Sequence, residues 1–365
     1  MILRSNFMII VLLLLCTFPS YAQQHETHPA PSGSVQGQQQ NQGATTQQEQ
    51  HTMQPEMQEK MPPGHEGMQM PGMNMPAGHQ GMNMTGTGMP MNEAGMFLMN
   101  QASGTSVNPQ SSLPQMWMRQ VGSWNVMFHG SLFVNEIQQT GPRGGDKFFS
   151  TNWFMGMAER KAGTGSFLFR AMMSLDPLTI TKRRYPELFQ SGETAFGRPI
   201  IDGQHPHELF MEISLQYARP LGENTMVSLY LAPVGDPALG PVAFPHRISA
   251  EEIPQAGLGH HVQDSTHIAN EVITAGLTRG PVRVEASAFH GAEPKENRWN
   301  IDYGAIDSWS ARLAFSPGKN WSGQASVGRL ERPEALEPGD IVRSTASVTY
   351  NRPLAAGLWA TSLIW

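Results

Sequence analysis

The chain predicts an all-β fold: an antiparallel up-and-down outer-membrane β-barrel of about 12 strands, preceded by a disordered Met/His-rich segment. Three observations carry that expectation. After the leader, no apolar run approaches the roughly 20 residues of a membrane-spanning helix. From 113 onward, segments of about ten residues alternate apolar and polar with period two. The connections between those segments alternate long and short, as the outer loops and inner turns of a barrel do.

Arg4, an apolar run over 8–15 and the small-x-small site Ser20-Tyr21-Ala22 make 1–22 a secretory signal peptide. The one cysteine, Cys16, lies inside it, and Leu15 before it is not the small residue that a lipoprotein site wants. Disulfides and thiolate metal sites are therefore excluded from the mature chain. Residues 23–112 are rich in Gln, Gly, Pro, Met and His, with Lys60 the only basic residue apart from histidine. Such a segment cannot bury enough apolar area to offset its ordering entropy, so a disordered periplasmic arm is expected.

Within the arm, thirteen methionines fall between Met53 and Met99. They include the pairs Met68/Met70, Met73/Met75, Met82/Met84 and Met89/Met91. The unit Gly64-His65-Glu66-Gly67-Met68-Gln69-Met70 returns as Gly78-His79-Gln80-Gly81-Met82-Asn83-Met84. Thioether sulfur is a soft ligand that selects Cu(I) over hard cations, and it needs no deprotonation. His65 and His79 add nitrogen ligands. Methionine is also a flexible core filler, but a filler needs a core, and the expected arm has none.

Residues 113–365 are the expected barrel. On the first strand Trp124, Val126, Phe128, Leu132 and Val134 share one face, and Asn125, His129, Ser131 and Asn135 the other. The pattern recurs over 149–157, 167–175, 209–217, 225–231, 268–278, 282–288, 309–315, 321–327, 342–350 and 358–364. Opposite faces carry Arg170, Glu212, Gln216, Glu271, Arg283, Glu285, Arg312 and Gln324, the mixed-charge lining of a narrow or plugged barrel. Long connections (136–147, 176–206, 233–265, 291–307, 331–340) alternate with short ones (159–165, 219–224, 280–281, 317–320, 351–357). Counted this way the strands are odd in number, whereas single-chain bacterial barrels are even. A strand hidden near 113–121 would repair the count. A chain lacking its last strand would also repair it, and is the favoured expectation, making the barrel incomplete.

Eight histidines lie in this region. The topology gathers His205, His207, His246, His260, His261, His267 and His290 at the outer end as a second metal candidate, since imidazole suits Cu and Zn. The bland alternative is loop scaffolding by hydrogen bonds. His129 stands apart as a lumen residue.

A net charge of −6 without a basic stripe argues against nucleic acid. No Gly-x-Ser-x-Gly elbow, phosphate loop or His-Glu-x-x-His occurs, so no enzyme is expected. Signal peptide, Met-x-Met arm and barrel in this order resemble the copper-resistance protein B family of the bacterial outer membrane. That resemblance implies copper binding in the periplasm for export or sequestration, with outer-membrane lipid and periplasmic copper carriers or efflux components as partners. The competing expectation is a structural or ligand-binding barrel with histidine-bearing outer loops and no metal-transport role.

Overall fold

A computed structural model of the chain describes residues 91–112, 116–191, 193–195, 197–264, 269–336 and 338–365. All of them belong to one unit, His79–Trp365. Twelve strands form one antiparallel sheet in strict chain order. They are β1 (Trp117–Val121), β2 (Trp124–Gln138), β3 (Asp146–Ala162), β4 (Gly165–Met173), β5 (Phe210–Gly222) and β6 (Thr225–Gly235), then β7 (Ala269–Arg279), β8 (Val282–His290), β9 (Ser308–Gly318), β10 (Trp321–Leu330), β11 (Ile341–Leu354) and β12 (Gly357–Ile364).

The long/short parity is present. Two-residue turns at 122–123, 163–164, 223–224, 280–281, 319–320 and 355–356 share one end of the sheet. The longer connections 139–145, 174–209, 236–268, 291–307 and 331–340 share the other. Gly122, Gly163, Asn224 and Gly280 take positive φ in the short turns, as tight hairpins of right-twisted strands require. Strand β1, in the 113–121 stretch, brings the strands of this sheet to an even count of twelve among the described residues.

One expectation is corrected: the sheet is not closed into a barrel. Its order runs from β1 to β12, and no pairing joins those two edges among the described residues. The short β1 pairs only with Trp124–Phe128 of β2. From Gly130 to Gln138, β2 pairs on its β3 side alone.

Burial is inverted relative to a soluble sheet, whose polar face meets water. Trp117, Phe128, Leu132, Phe169, Leu215, Leu277, Val284, Trp309, Leu313 and Leu363 are exposed. Asn125, Arg170, Glu212, Gln216, Thr274, Glu285, Arg312, Gln324 and Asn351 are buried on the opposite face. Buried ion pairs join Arg170 to Glu212 at 2.9 Å and Arg312 to Glu285 at 2.8 Å. Glu271 departs from the expected face: it sits at a bulge in β7 with φ 50°, half-buried, accepting from the Gly304 amide at 3.1 Å.

Two segments cover the polar face. The first is 91–112, so the arm is not without structure as far as 112. Asn92 caps helix α1 (Glu93–Met99), its Oδ1 accepting from the Gly95 amide at 2.8 Å. Its Nδ2 donates to the Gly165 carbonyl at 3.0 Å, next to a short turn. Ala94 and Leu98, one turn apart, pack with Met99 against Met127, Met155, Met157, Leu168, Met172, Met211 and Met226. The apolar end of the arm thus has a core to fill, which composition over 23–112 obscured.

Beyond α1, a loop closed by the Gln101–Val107 bridge reaches the buried arginines. Arg170 donates to the Ala102 carbonyl at 3.0 Å and Arg283 to the Thr105 carbonyl at 2.7 Å. Arg312 donates to Thr105 Oγ1 at 2.7 Å. The segment returns to the short-turn end, where the Ser111 amide donates to the Lys319 carbonyl at 2.8 Å.

The second covering segment, 236–264, enters from the long-loop end. The amides of Ala238 and Gly240 donate to Ser287 and Ser326 hydroxyls at 2.7 and 2.9 Å. The two segments meet where the Ala243 amide donates to Ser103 Oγ at 2.9 Å and Asn108 Nδ2 to the His246 carbonyl at 2.8 Å. Gly104, at φ 50°, leaves no room for a side chain: a Cβ there would lie 2.6 Å from the Asp236 carbonyl oxygen.

Candidate metal centre

Three long connections converge at the long-loop end. Connection 174–209 returns through Gln204-His205-Pro206-His207-Glu208, 236–268 carries the helical turn His260–Gln263, and 291–307 leaves β8. His205, His261 and Glu293 each offer one ligand atom, all within 4.8 Å of one another. The rings of His205 and His261 are 5.0 Å apart, and those of His260 and His261 4.4 Å. Phe244 joins the group, edge-on to His260 at 5.4 Å and stacked on His207 at 5.6 Å. Buried Asp176 fixes His207, its Oδ2 2.7 Å from Nδ1. His205 Nδ1 faces the Thr194 carbonyl at 3.3 Å and Arg298 Nη2 at 3.2 Å, and Arg298 also pairs with Glu208.

Electrostatics favour a neutral donor set. Burial, reinforced by Arg298, holds His205 well below the ordinary imidazole value. Burial, with Arg298 and Arg343, lowers His261 to about 3. Burial and then Glu334 push Glu293 up to about 7, and neither of its oxygens has a hydrogen-bond partner among the described residues. Two imidazoles and one carboxylate suit a borderline divalent ion such as Zn(II) or Cu(II). Arg298 and Arg343 line the same cavity of about 50 Å³ together with Glu208, Glu293 and Glu334.

Of the histidines expected at this end, His205, His207, His260 and His261 gather. His267 lies outside the described residues. His290 and His246 stand outside this group. His290 ends β8 and bonds to the Ala305 carbonyl at 2.9 Å and Asp307 at 3.2 Å, its ring lying over Gly304. His246 ends the turn Phe244–His246, which has Pro245 at its second position and dips into the sheet's interior. Its Nε2 is 3.2 Å from Met172 Sδ. Its ring is 5.6 Å from that of His129, the residue expected to stand apart in the lumen. His129 Nε2 in turn lies 3.3 Å from Met155 Sδ. The Trp153 ring packs against both imidazoles, at 5.1 and 4.6 Å.

Glu293 was not among the expected ligands: no motif marks it, and only folding brings 291–307 to the other two loops. Of the expected arm ligands, Met91 packs half-buried against the methionine-rich core. Met68, Met70, Met73, Met75, Met82, Met84, Met89, His65 and His79 lie outside the described residues. Comparison with protein-family models, with curated proteins and with solved structures returned no match.

Proposed function

We propose that this chain is an outer-membrane copper-handling protein that captures Cu(I) and Cu(II) in the periplasm through Met-x-Met and His ligands, for export or sequestration. The inverted sheet supports the membrane part of that reading. An apolar outer face, a charged inner face and two-residue turns at one end belong to outer-membrane strands. Cross-strand aromatic pairs near the short turns, Phe167–Tyr217 at 4.7 Å and Trp321–Tyr350 at 4.6 Å, suit an interfacial girdle.

The observation that carries the copper reading is the anchoring of the arm. Its last residues dock on a methionine-rich core at the short-turn end, directly after the Met-x-Met pairs. Several weak soft sites tethered there raise the local metal concentration at the mouth of the sheet. The His205/His261/Glu293 cluster favours the competing reading, a barrel whose outer loops bind a ligand.

Titration of the purified full chain with Cu(I) against a competing chelator, with Zn(II) as control, tests the proposal. Several Cu(I) per chain are expected. Replacing Met68, Met70, Met73, Met75, Met82, Met84 and Met89 by Leu removes all that the arm holds. Unchanged stoichiometry in that variant overturns the assignment. Unchanged copper tolerance of cells after deletion of 53–90 favours the ligand-binding reading instead.

A further inference from the structure

We propose that His129, Met155, Met172 and His246 form a Cu(I) site inside the sheet, where the anchored end of the arm meets the long-loop segment. The proposal rests on the copper reading above and extends it to residues that neither the Met-x-Met repeats nor the loop cluster contains. Three of the four ligands form a row across neighbouring strands. His129 on β2 is the direct partner of Met155 on β3, and Met155 of Met172 on β4. Side chains so paired stand about 4.5–5.5 Å apart at Cβ and share a face. His246 descends from the other segment and completes the set.

The spacing fits an ion. Two ligands of a tetrahedral d10 metal, with bonds of about 2.3 Å to sulfur and about 2.0 Å to nitrogen, stand about 3.5 Å apart. The His129 Nε2 to Met155 Sδ and His246 Nε2 to Met172 Sδ distances are 3.3 and 3.2 Å. The plain reading of these contacts is a pair of N–H···S hydrogen bonds. Thioether sulfur is a weak acceptor, however, and buried imidazoles are normally given an oxygen. Here an inner face that carries a buried methionine cluster, Met127, Met157, Met211 and Met226, beside its Asn, Arg, Glu, Gln and Ser presents two of its sulfurs directly to imidazole nitrogens. Burial keeps His246 well below its ordinary value, so its ring is neutral and its lone pair can bind metal.

The donor set is two thioethers and two imidazoles, which is soft and uncharged. It suits Cu(I) and disfavours hard or strongly hydrated cations. An adjoining cavity of about 50 Å³ is lined by Met99, Met116 and Met157 as well as His129 and His246. Thioethers therefore continue from the arm's docked end to the site. A Cu(I) ion could pass along them by ligand exchange, with no change of oxidation state and no proton transfer.

The test uses the full chain in detergent, with the seven arm methionines replaced by Leu as above, titrated anaerobically with Cu(I) against a chelator. One Cu(I) per chain is expected to remain. Adding Met155→Leu and Met172→Leu should weaken it by at least tenfold while preserving apolar volume. Unchanged near-UV circular dichroism separates loss of ligand from loss of fold. X-ray absorption of the single-copper form should show both sulfur and nitrogen in the first shell. If the parent chain binds copper and the arm variant binds none, this site is overturned and the copper reading stands. Binding unaffected by the two Leu substitutions also overturns the site. Absence of Cu(I) from the parent chain removes both.

Discussion

Glu293 shows what folding adds to a residue that the sequence leaves unremarkable. Burial and the nearby Glu334 raise its carboxyl to about 7, whereas the adjacent imidazoles remain neutral to far lower pH. Below pH 7 the carboxyl holds a proton that a divalent ion must displace. Affinity of the His205/His261/Glu293 cluster for Zn(II) is therefore expected to rise about tenfold per pH unit up to about 7 and then level off. The sign for stability is the opposite. A carboxyl whose folded value is raised stabilises the fold below its unfolded value of 4.5, and that contribution is lost as pH rises through about 7. Chelator-competition titrations across this range, on the parent chain and Glu293→Gln, provide the check. The variant should bind weakly and without the pH step. An affinity independent of pH in the parent would mean that the imidazoles bind alone.

At the scale of elements, the long strands were legible and two shorter pieces were not. Period-two alternation marked β2–β12 because each has one apolar and one polar face. Trp117-Met118-Arg119-Gln120-Val121 is too short for alternation to stand out, and Arg119 interrupts its apolar face. Helix α1 was hidden because seven residues cannot announce a period inside a Met/Gln-rich stretch, and its stability comes from Leu98 and Met99 meeting methionines distant in sequence. Asn92 is the element's pivot: it caps α1, donates to the Gly165 carbonyl and accepts from Ser166 Oγ at 2.7 Å. Asn92→Ala removes a cap worth about 1 kcal/mol and two hydrogen bonds of about 1 kcal/mol each. Opening of 93–99 should become at least about tenfold more frequent, read as faster amide exchange or faster chymotryptic cleavage at Phe97. Exchange at the parent rate would assign the docking to apolar burial and the arginine contacts of 101–105 alone.

For the whole molecule, the sequence disclosed which face is apolar and which end bears the loops, because both follow from local pattern. It did not disclose which histidines meet. His246 and His260 lie in one connection, yet one turns inward to Met172 and the other toward His261. At that division Asn108, far away in the chain, donates to the His246 carbonyl at 2.8 Å. Closure is likewise a global property. In a bilayer every backbone group must be paired, so an open sheet edge is excluded from the hydrocarbon. β1 runs toward the short-turn end and β12 away from it, which is the antiparallel sense a closing pair requires. Their inner-face residues are Met118 and Gln120 on one edge and Ala360 and Ser362 on the other. These edges are unpaired in the structure, and the membrane reading proposed above requires them to pair in a bilayer: on that reading, with Cys16 replaced by Ser, cysteines introduced pairwise at these positions should form disulfides in membranes in at least one register, since bridged strands need Cα atoms about 4.4–6.8 Å apart. Such a bond would make β1–β12 the seam of a barrel. No crosslink in any register, with both edges open to water-soluble thiol reagents, would leave the sheet open and overturn the membrane-spanning reading.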